Sequence, residues 1–358
     1  MKKIVTIVGA RPQFIKVAPV SRALKETGVT EEILIHTGQH FDAGMSTVFF
    51  DELDIDPPSF NLDIHGGGHG VMTGVMMQKI EPLLVDLKPD CVLVYGDTNS
   101  TLAGSLTAAK LHIPVAHVEA GLRSFNKKMP EEINRILTDH VSQLLFASTA
   151  VAKDNLLREG IDPELIFTAG DVMYDAAQHF AAVAKLRSSI LDRLQLMDKG
   201  YVLATIHRAE NTDHASRLLN IAQGLDEVAN ALPVVLPLHP RTRQKLTDLK
   251  FTFKNVTVID PIGYLDMISL EASAALIATD SGGVQKEAFF FKVPCVTLRD
   301  ETEWVELVQA GWNLLLPPDS DDLPKIVLAR LGSSGADVAP YGDGKAAKLI
   351  AEALILNH

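Results

Sequence analysis

His117-Val118-Glu119-Ala120-Gly121-Leu122-Arg123-Ser124-Phe125-Asn126-Lys127-Lys128-Met129-Pro130-Glu131-Glu132-Ile133-Asn134-Arg135 is the stretch on which the reading of this chain turns. Val115–Val118 has the short, unbroken apolar pattern of a buried strand, and Glu119 falls where that strand should end. Eleven residues separate Glu119 from Glu131, which follows Pro130, a favoured first residue of a helix. Ile133, Ile136, Leu137, Val141, Leu144 and Leu145 recur at helical spacing, which predicts an apolar inner face with Glu131 and Arg135 on the opposite, non-core side. One carboxylate from a strand end and one from a helix start are thus aimed at one place, an arrangement suited to acid/base chemistry. Each also has a plain structural role open to it: Glu119 as a loop cap, Glu131 as an answer to the helix dipole. In open α/β sheets, however, strand-end carboxylates face the ligand crevice.

The pattern around this stretch repeats along the chain. Strand-like runs at Lys3–Val8, Glu32–His36, Cys91–Tyr95, Val115–Val118, Leu144–Ala147 and Ile166–Thr168 alternate with amphipathic helical runs. A second set follows at Tyr201–Ile206, Val234–Leu238, Val256–Ile259, Ala275–Thr279 and Cys295–Leu298. Such alternation implies parallel sheets flanked by helices, and 358 residues are enough for two domains. Polar residues gather just beyond the strands: Asp97, Glu119, His207, His239 and the pair Asp280-Ser281. Because both halves contribute, a site in a cleft between two facing domains is expected.

Composition narrows the function. A net charge of −12 argues against non-specific nucleic-acid binding. No apolar run approaches membrane-spanning length, and Met1-Lys2-Lys3 leads straight into a first strand, not a signal peptide, so a cytoplasmic protein is expected. Cys91 and Cys295 each sit in an apolar strand-like run and read as buried, reduced thiols. His65-Gly66-Gly67-Gly68-His69 has no nearby cysteine or acidic pair, which makes it a poor zinc site; a substrate-closing loop is the expectation, and no metal is.

Two segments suit a nucleotide. Gly9-Ala10-Arg11-Pro12-Gln13-Phe14-Ile15-Lys16 follows the first strand without the Gly-x-Gly-x-x-Gly spacing of a dinucleotide site. Arg11 and Lys16 there put two cations and helix-start N–H groups where a diphosphate could sit. In Asp280-Ser281-Gly282-Gly283-Val284-Gln285-Lys286-Glu287, a buried strand runs into two glycines and then a helix. Its amides can approach a phosphate without Cβ interference, and Glu287 can accept both hydroxyls of a ribose.

These residues resemble a known family. Gly9-Ala-Arg-Pro…Lys16, Gly96-Asp97-Thr98, His117-Val-Glu-Ala-Gly-Leu-Arg123, Pro130-Glu-Glu-x-Asn-Arg135, His207-Arg208-x-Glu210-Asn211, Asp280-Ser-Gly-Gly-x-Gln-x-Glu287 and Tyr341-Gly-Asp-Gly344 recur in order over nearly the whole chain. Together they are similar to the non-hydrolysing UDP-N-acetylglucosamine 2-epimerases. The resemblance implies an α/β protein of GT-B architecture, two Rossmann-like domains with the active site in the cleft between them. It implies a catalytic domain over 1–172, a linker helix region over 173–200, a UDP-binding domain over 201–344 and a C-terminal helix over 345–358, open to packing back on the first domain or on the second.

The implied reaction is inversion at C2 of a UDP-N-acetylated hexose, by anti elimination of UDP through a 2-acetamidoglucal and re-addition, in cell-surface polysaccharide synthesis. C2–H lies next to no carbonyl; expelling UDP makes C1 oxocarbenium-like and acidifies it, so carboxylates near C2 and a tight grip on the diphosphate are required. Asp97, Glu119, Glu131 and His207 are the implied catalytic residues. Arg11, Lys16, His239, Ser281, Gly282, Gly283 and Glu287 are the implied UDP-binding residues. Arg123, Lys127, Lys128 and Arg135 are candidates for a substrate loop. No cofactor is implied, and a homodimer is.

The chain departs from the family in two places. The Ser124–Met129 loop is shorter and more basic than usual, and Thr302-Glu303-Trp304-Val305-Glu306 stands where Thr-Glu-Arg-Pro-Glu is common. Both variants resemble the branch acting on UDP-2,3-diacetamido-2,3-dideoxyglucuronate. The family's allosteric UDP-N-acetylglucosamine site, around Gln39-His40 and His65, is matched only in part. A hydrolysing 2-epimerase, a GT-B glycosyltransferase and a non-catalytic nucleotide-sugar sensor are the competing readings.

Overall fold

The computed structural model describes residues 1–39, 50 and 52–356. Two compact units divide the chain: Met1–Ala176 with Ala339–His358, and Ala177–Val338.

The first unit contains β1 (Lys2–Val8), α1 (Arg11–Thr27), β2 (Thr30–His36), β3 (Phe60–Asn61), α2 (His69–Leu87), β4 (Cys91–Tyr95) and α3 (Asn99–Lys110). It continues with β5 (Val115–Ala120), α4 (Pro130–Val141), β6 (Leu144–Ala147), α5 (Ala150–Arg158) and β7 (Ile166–Thr168). Helix α6 (Val172–Arg187) runs from this unit into the next.

The second unit contains α7 (Ile190–Arg193), β8 (Val202–Thr205), α8 (Ala209–Thr212), α9 (Ala215–Val228), β9 (Val234–Pro237), α10 (Pro240–Asp248) and β10 (Thr257–Ile259). Then come α11 (Tyr264–Ser273), β11 (Leu276–Thr279), α12 (Gly282–Phe290), β12 (Cys295–Thr297), α13 (Val305–Gln309), β13 (Asn313–Leu315) and α14 (Leu323–Ala329). The last helix, α15 (Ala346–Leu356), belongs to the first unit and packs on α1.

Among the described residues the first sheet has seven strands in the order β3-β2-β1-β4-β5-β6-β7, and the second has six in the order β10-β9-β8-β11-β12-β13. Every pairing is parallel. Helices cover both faces, so central strands such as Cys91–Tyr95 and Leu276–Thr279 are buried along their whole length and carry no polar alternation. The strand order reverses direction between β1 and β4 in one sheet and between β8 and β11 in the other. At such a switch point the helices leave on opposite faces and open a crevice above the carboxyl ends. Asp97 follows β4 at one switch point, with Glu119 on the adjacent β5; His207 and Asp280 follow β8 and β11 at the other.

Two features differ from the expectation. Strand β5 does not end at Val118: it runs on through Glu119 to Ala120, with a shift in register between Val118 and Ala120. Glu119 occupies this bulge at φ +75°, a left-handed conformation that a residue with a Cβ adopts under strain. Helix α4 is also turned inside out. Ile133 and Leu137 are nearly half exposed, while Glu132, Asn134, Arg135, Thr138 and Asp139 are buried. The apolar spacing was real, but the polar side wins the interior because its groups find hydrogen-bond partners there.

Candidate active site

The Gly96–Asp97 turn at the end of β4 is gripped from three sides. Asn134 of α4 donates from Nδ2 to the Asp97 carbonyl at 2.9 Å, and Arg135 is ion-paired to the Asp97 carboxylate. Below, His117 Nε2 lies 2.7 Å from the Gly96 carbonyl while its Nδ1 lies 2.7 Å from Asp139. Behind, Gln13 donates to the Tyr95 carbonyl at 2.9 Å and accepts from the amides of Gly9 and Ala10, which ties the turn after β1 to the end of β4.

Lys16, one helical turn into α1, is ion-paired to Glu119, and both side chains are almost fully buried. Gly96 is the residue that lets this pair approach. Its φ is +63°, and a Cβ there would lie 3.1 Å from Lys16 Nζ and 3.5 Å from Glu119 Oε1.

Arg135 bridges Asp97 to Glu132, at 2.8 Å from the latter. Glu132 in turn accepts from the amides of Ser124 and Phe125, both at 2.9 Å, and so braces the loop that leads to Glu131. Phe125 takes φ +60° and is exposed, as are Lys127 and Lys128, and Glu131 is half-buried. Arg123 faces the other way. Its guanidinium is buried on Asp139, the Leu122 carbonyl and both oxygens of Glu159, so it supports β5 and is not part of a substrate loop. Burial alone would push the Asp139 carboxyl up, but the hydrogen bonds and charges of His117 and Arg123 outweigh it and hold it below the ordinary range.

In the second unit Asp280 is the organiser. It is fully buried and accepts from the amides of His207 and Arg208 and from Asn211 Nδ2, each at 3.1 Å. His207 Nδ1 sits 3.2 Å from the same carboxylate, and about half of the imidazole is exposed. Here too burial works upward on the acid, and the His207 contact with the Arg208 and Asn211 hydrogen bonds prevails, leaving Asp280 ionised and low.

Ser281 caps α12, and Gly282 and Gly283 form its first turn. A Cβ on Gly282 would lie 2.7 Å from Glu303 Oε1, so any larger residue here would have to displace the Glu303 carboxylate. Glu303 is held by Arg299 at 2.9 Å and Arg208 at 3.7 Å. Lys286, fully buried, lies 4.1 Å from the centre of the Trp304 ring. Glu287 accepts from Tyr264 Oη at 3.1 Å within the same unit. His239 caps α10 by accepting from the Arg241 amide at 3.2 Å and is exposed. Among the described residues no three His, Cys, Asp or Glu gather as a metal would need.

The comparisons with known proteins agree on one family. The family profile for UDP-N-acetylglucosamine 2-epimerase matches residues 22–355. A UDP-2,3-diacetamido-2,3-dideoxy-D-glucuronate 2-epimerase of Pseudomonas aeruginosa is 54% identical over 98% of this chain and 99% of its own. The crystal structure of the Methanocaldococcus jannaschii UDP-GlcNAc 2-epimerase in complex with UDP-GlcNAc and UDP superposes with a TM-score of 0.93 at 44% identity, covering 99% of both chains. The chain belongs to the UDP-N-acetylglucosamine 2-epimerase family. A second member, from Neisseria meningitidis and bound to UDP-GlcNAc, gives a TM-score of 0.89 at 33% identity, covering 99% of this chain and 100% of that one.

Within this epimerase chain, the structure brings Lys16, Asp97, Glu119 and Arg135 together around Gly96, and His207, Ser281 and Gly282 together around Asp280. The Arg11 side chain and His40 lie outside the described residues; Gln39 accepts from the Ser100 amide at 3.1 Å. Sequence reasoning missed Gln13, Glu132, Asn134 and Arg208. The signal available for the α4 residues was a run of hydrogen-bonding side chains at positions 132, 134, 135, 138 and 139, too regular for an idle solvent face. Cys91 and Cys295 are free and buried, and among the described residues no helix is long and apolar enough to cross a membrane.

Proposed function

We propose that this epimerase inverts C2 of a UDP-N-acetylated hexose by eliminating UDP to a 2-acetamidoglucal, returning the proton to the other face of C2 and adding UDP back to C1. The observation that carries the reading is the pairing of two acids with two cations at one switch point: Glu119 with Lys16 and Asp97 with Arg135. A carboxylate paired in this way is held in one orientation, as proton transfer at an unactivated C2 requires. With Glu131 these acids handle the protons and the charge developing on the ring. The second unit's share is the leaving group. His207, oriented by Asp280, assists departure of the diphosphate; Ser281, Gly282 and Gly283 bind it with the helix-start amides of α12, joined by His239; Glu287 takes the ribose hydroxyls.

A second reading of the substrate, UDP-2,3-diacetamido-2,3-dideoxyglucuronate, is favoured by the likeness to the Pseudomonas aeruginosa protein and by Lys127 and Lys128, two exposed lysines on the loop that leads to Glu131. Incubating the chain with either sugar in D₂O and following products by NMR tests the proposal. Deuterium at C2 of an epimeric UDP-sugar supports it. Free N-acetylmannosamine points to the hydrolysing enzyme, and no C2 exchange to a glycosyltransferase or sensor.

The chain is further proposed to work in the cytoplasm as a homodimer. Ile133 and Leu137, one helical turn apart on α4 and both exposed, form an apolar strip of the first unit suited to a second copy. Sedimentation of Leu137→Asp tests it: a shift from dimer to monomer supports the face, and an unchanged dimer rejects it.

A further inference from the structure

Behind Glu287 lies another carboxyl group. Glu271, on the neighbouring α11, is fully buried, and neither of its oxygens accepts a hydrogen bond from a donor among the described residues. The titratable groups that face it are Glu287, the phenols of Tyr264 and Tyr201 and the Cys295 thiol, and none of them is a cation. Neither phenol supplies a donor to it: Tyr201 gives its proton to the Leu270 carbonyl at 2.6 Å, and Tyr264 gives its own to Glu287 at 3.1 Å. An ionised carboxylate without donor or countercharge is too costly in such an interior, so this acid is held neutral. Its proton then has an acceptor directly in front of it, the Glu287 carboxylate.

We infer that Glu271 is a positioning residue for the nucleotide: its carboxylic O–H donates to Glu287 and, together with the Tyr264 hydroxyl, fixes that carboxylate in the orientation that receives the ribose hydroxyls. The pair carries one proton and one negative charge. Glu287 stays an acceptor on its ribose side because the donors needed to hold a buried carboxylate come from behind it. The inference rests on the reading of Glu287 as the ribose acceptor and deepens it. Sequence alone marks Glu271 only as a charged residue on a helix that is otherwise mostly apolar.

The test is calorimetric titration of the full chain with UDP and with 2′,3′-dideoxy-UDP, for wild type, Glu271→Gln, Glu271→Leu and Glu287→Gln. Gln keeps a donor at position 271, so Glu271→Gln should bind UDP as wild type does. Glu271→Leu should bind UDP roughly tenfold more weakly and bind the dideoxy nucleotide unchanged. Equal losses on both nucleotides, or no loss at all, overturn the inference in favour of a packing role. Glu287→Gln separates this from failure of the parent reading: if that variant still prefers UDP over the dideoxy form as wild type does, the ribose assignment itself is wrong. Where Glu271→Leu does not fold, the infrared difference between wild type and Glu271→Gln at neutral pH decides. A protonated-carboxyl C=O band in wild type supports the shared proton, and its absence overturns it.

Discussion

Lys16 and Glu119 are ion-paired inside the first unit, although 103 positions separate them in the chain. The sequence suggested Lys16 as a diphosphate ligand and Glu119 as a catalytic acid; the fold makes them one device. Removing the cation leaves a buried carboxylate without its countercharge. Lys16→Met should therefore lower kcat by about 10² and reduce thermal stability, and Lys16→Arg should restore part of both. Steady-state rates and melting curves check this; a Lys16→Met enzyme of near wild-type kcat would show the pair to be incidental.

Asp97→Asn, Glu119→Gln and Glu131→Gln should each lower turnover by about 10² or more, as expected for positioned acid/base groups. UDP should still bind, because the residues proposed to hold it are others. Near wild-type rates in all three variants would sink the assignment. A partly active variant that releases 2-acetamidoglucal with UDP would expose the intermediate directly.

Much of this was legible before the fold was known. Fully buried parallel strands have a strong signature, so Cys91–Tyr95 and Leu276–Thr279 could be read with their polar followers Asp97 and Asp280. Three-residue β13 and two-residue β3 left too little pattern to see. Helix α4 was misread for a physical reason: periodicity tells which residues share a face, not which face is inside. Ile133 and Leu137 formed a correct stripe on the wrong side, because the interior here rewards hydrogen bonds to Asp97, His117 and Arg123. The strained φ of Glu119 had no sequence signal, since strain of that kind is imposed by the surrounding structure.

Asp175 gives a pH dependence of unusual sign. Its Oδ2 accepts from the Ala347 amide at 2.8 Å, capping the first turn of α15, while burial raises its carboxyl to about 6 against 3.8 in an unfolded chain. Between those values the folded state keeps a proton that the unfolded state has released, so this group's contribution falls as pH rises through that window and is constant above it. Asp175→Asn keeps the acceptor and removes the charge. Its melting temperature should exceed that of wild type at pH 7 by a margin that shrinks toward pH 4 in thermal scans. A variant less stable than wild type at pH 7 would contradict this.

Lys127 and Lys128 are exposed on a loop whose backbone Glu132 pins through Ser124 and Phe125. A uronate at C6 of the sugar would meet their charge. Exposed pairs of this kind are weak, so the preference for the diacetamido uronate over UDP-N-acetylglucosamine should fall only a few-fold in Lys127→Ala/Lys128→Ala. The quantity to compare is the ratio of kcat/KM for the two sugars. An unchanged ratio would mean that these lysines do not read the sugar.

The central claim is that the bond between C1 and the UDP oxygen breaks during each turnover. Positional isotope exchange measures this most directly, using whichever of the two sugars turns over faster, with ¹⁸O placed in the C1–O–P bridge. The account predicts that the label moves from the bridge to the non-bridging oxygens of the β-phosphate while C2 is inverted. Inversion with every label still in the bridge would contradict it.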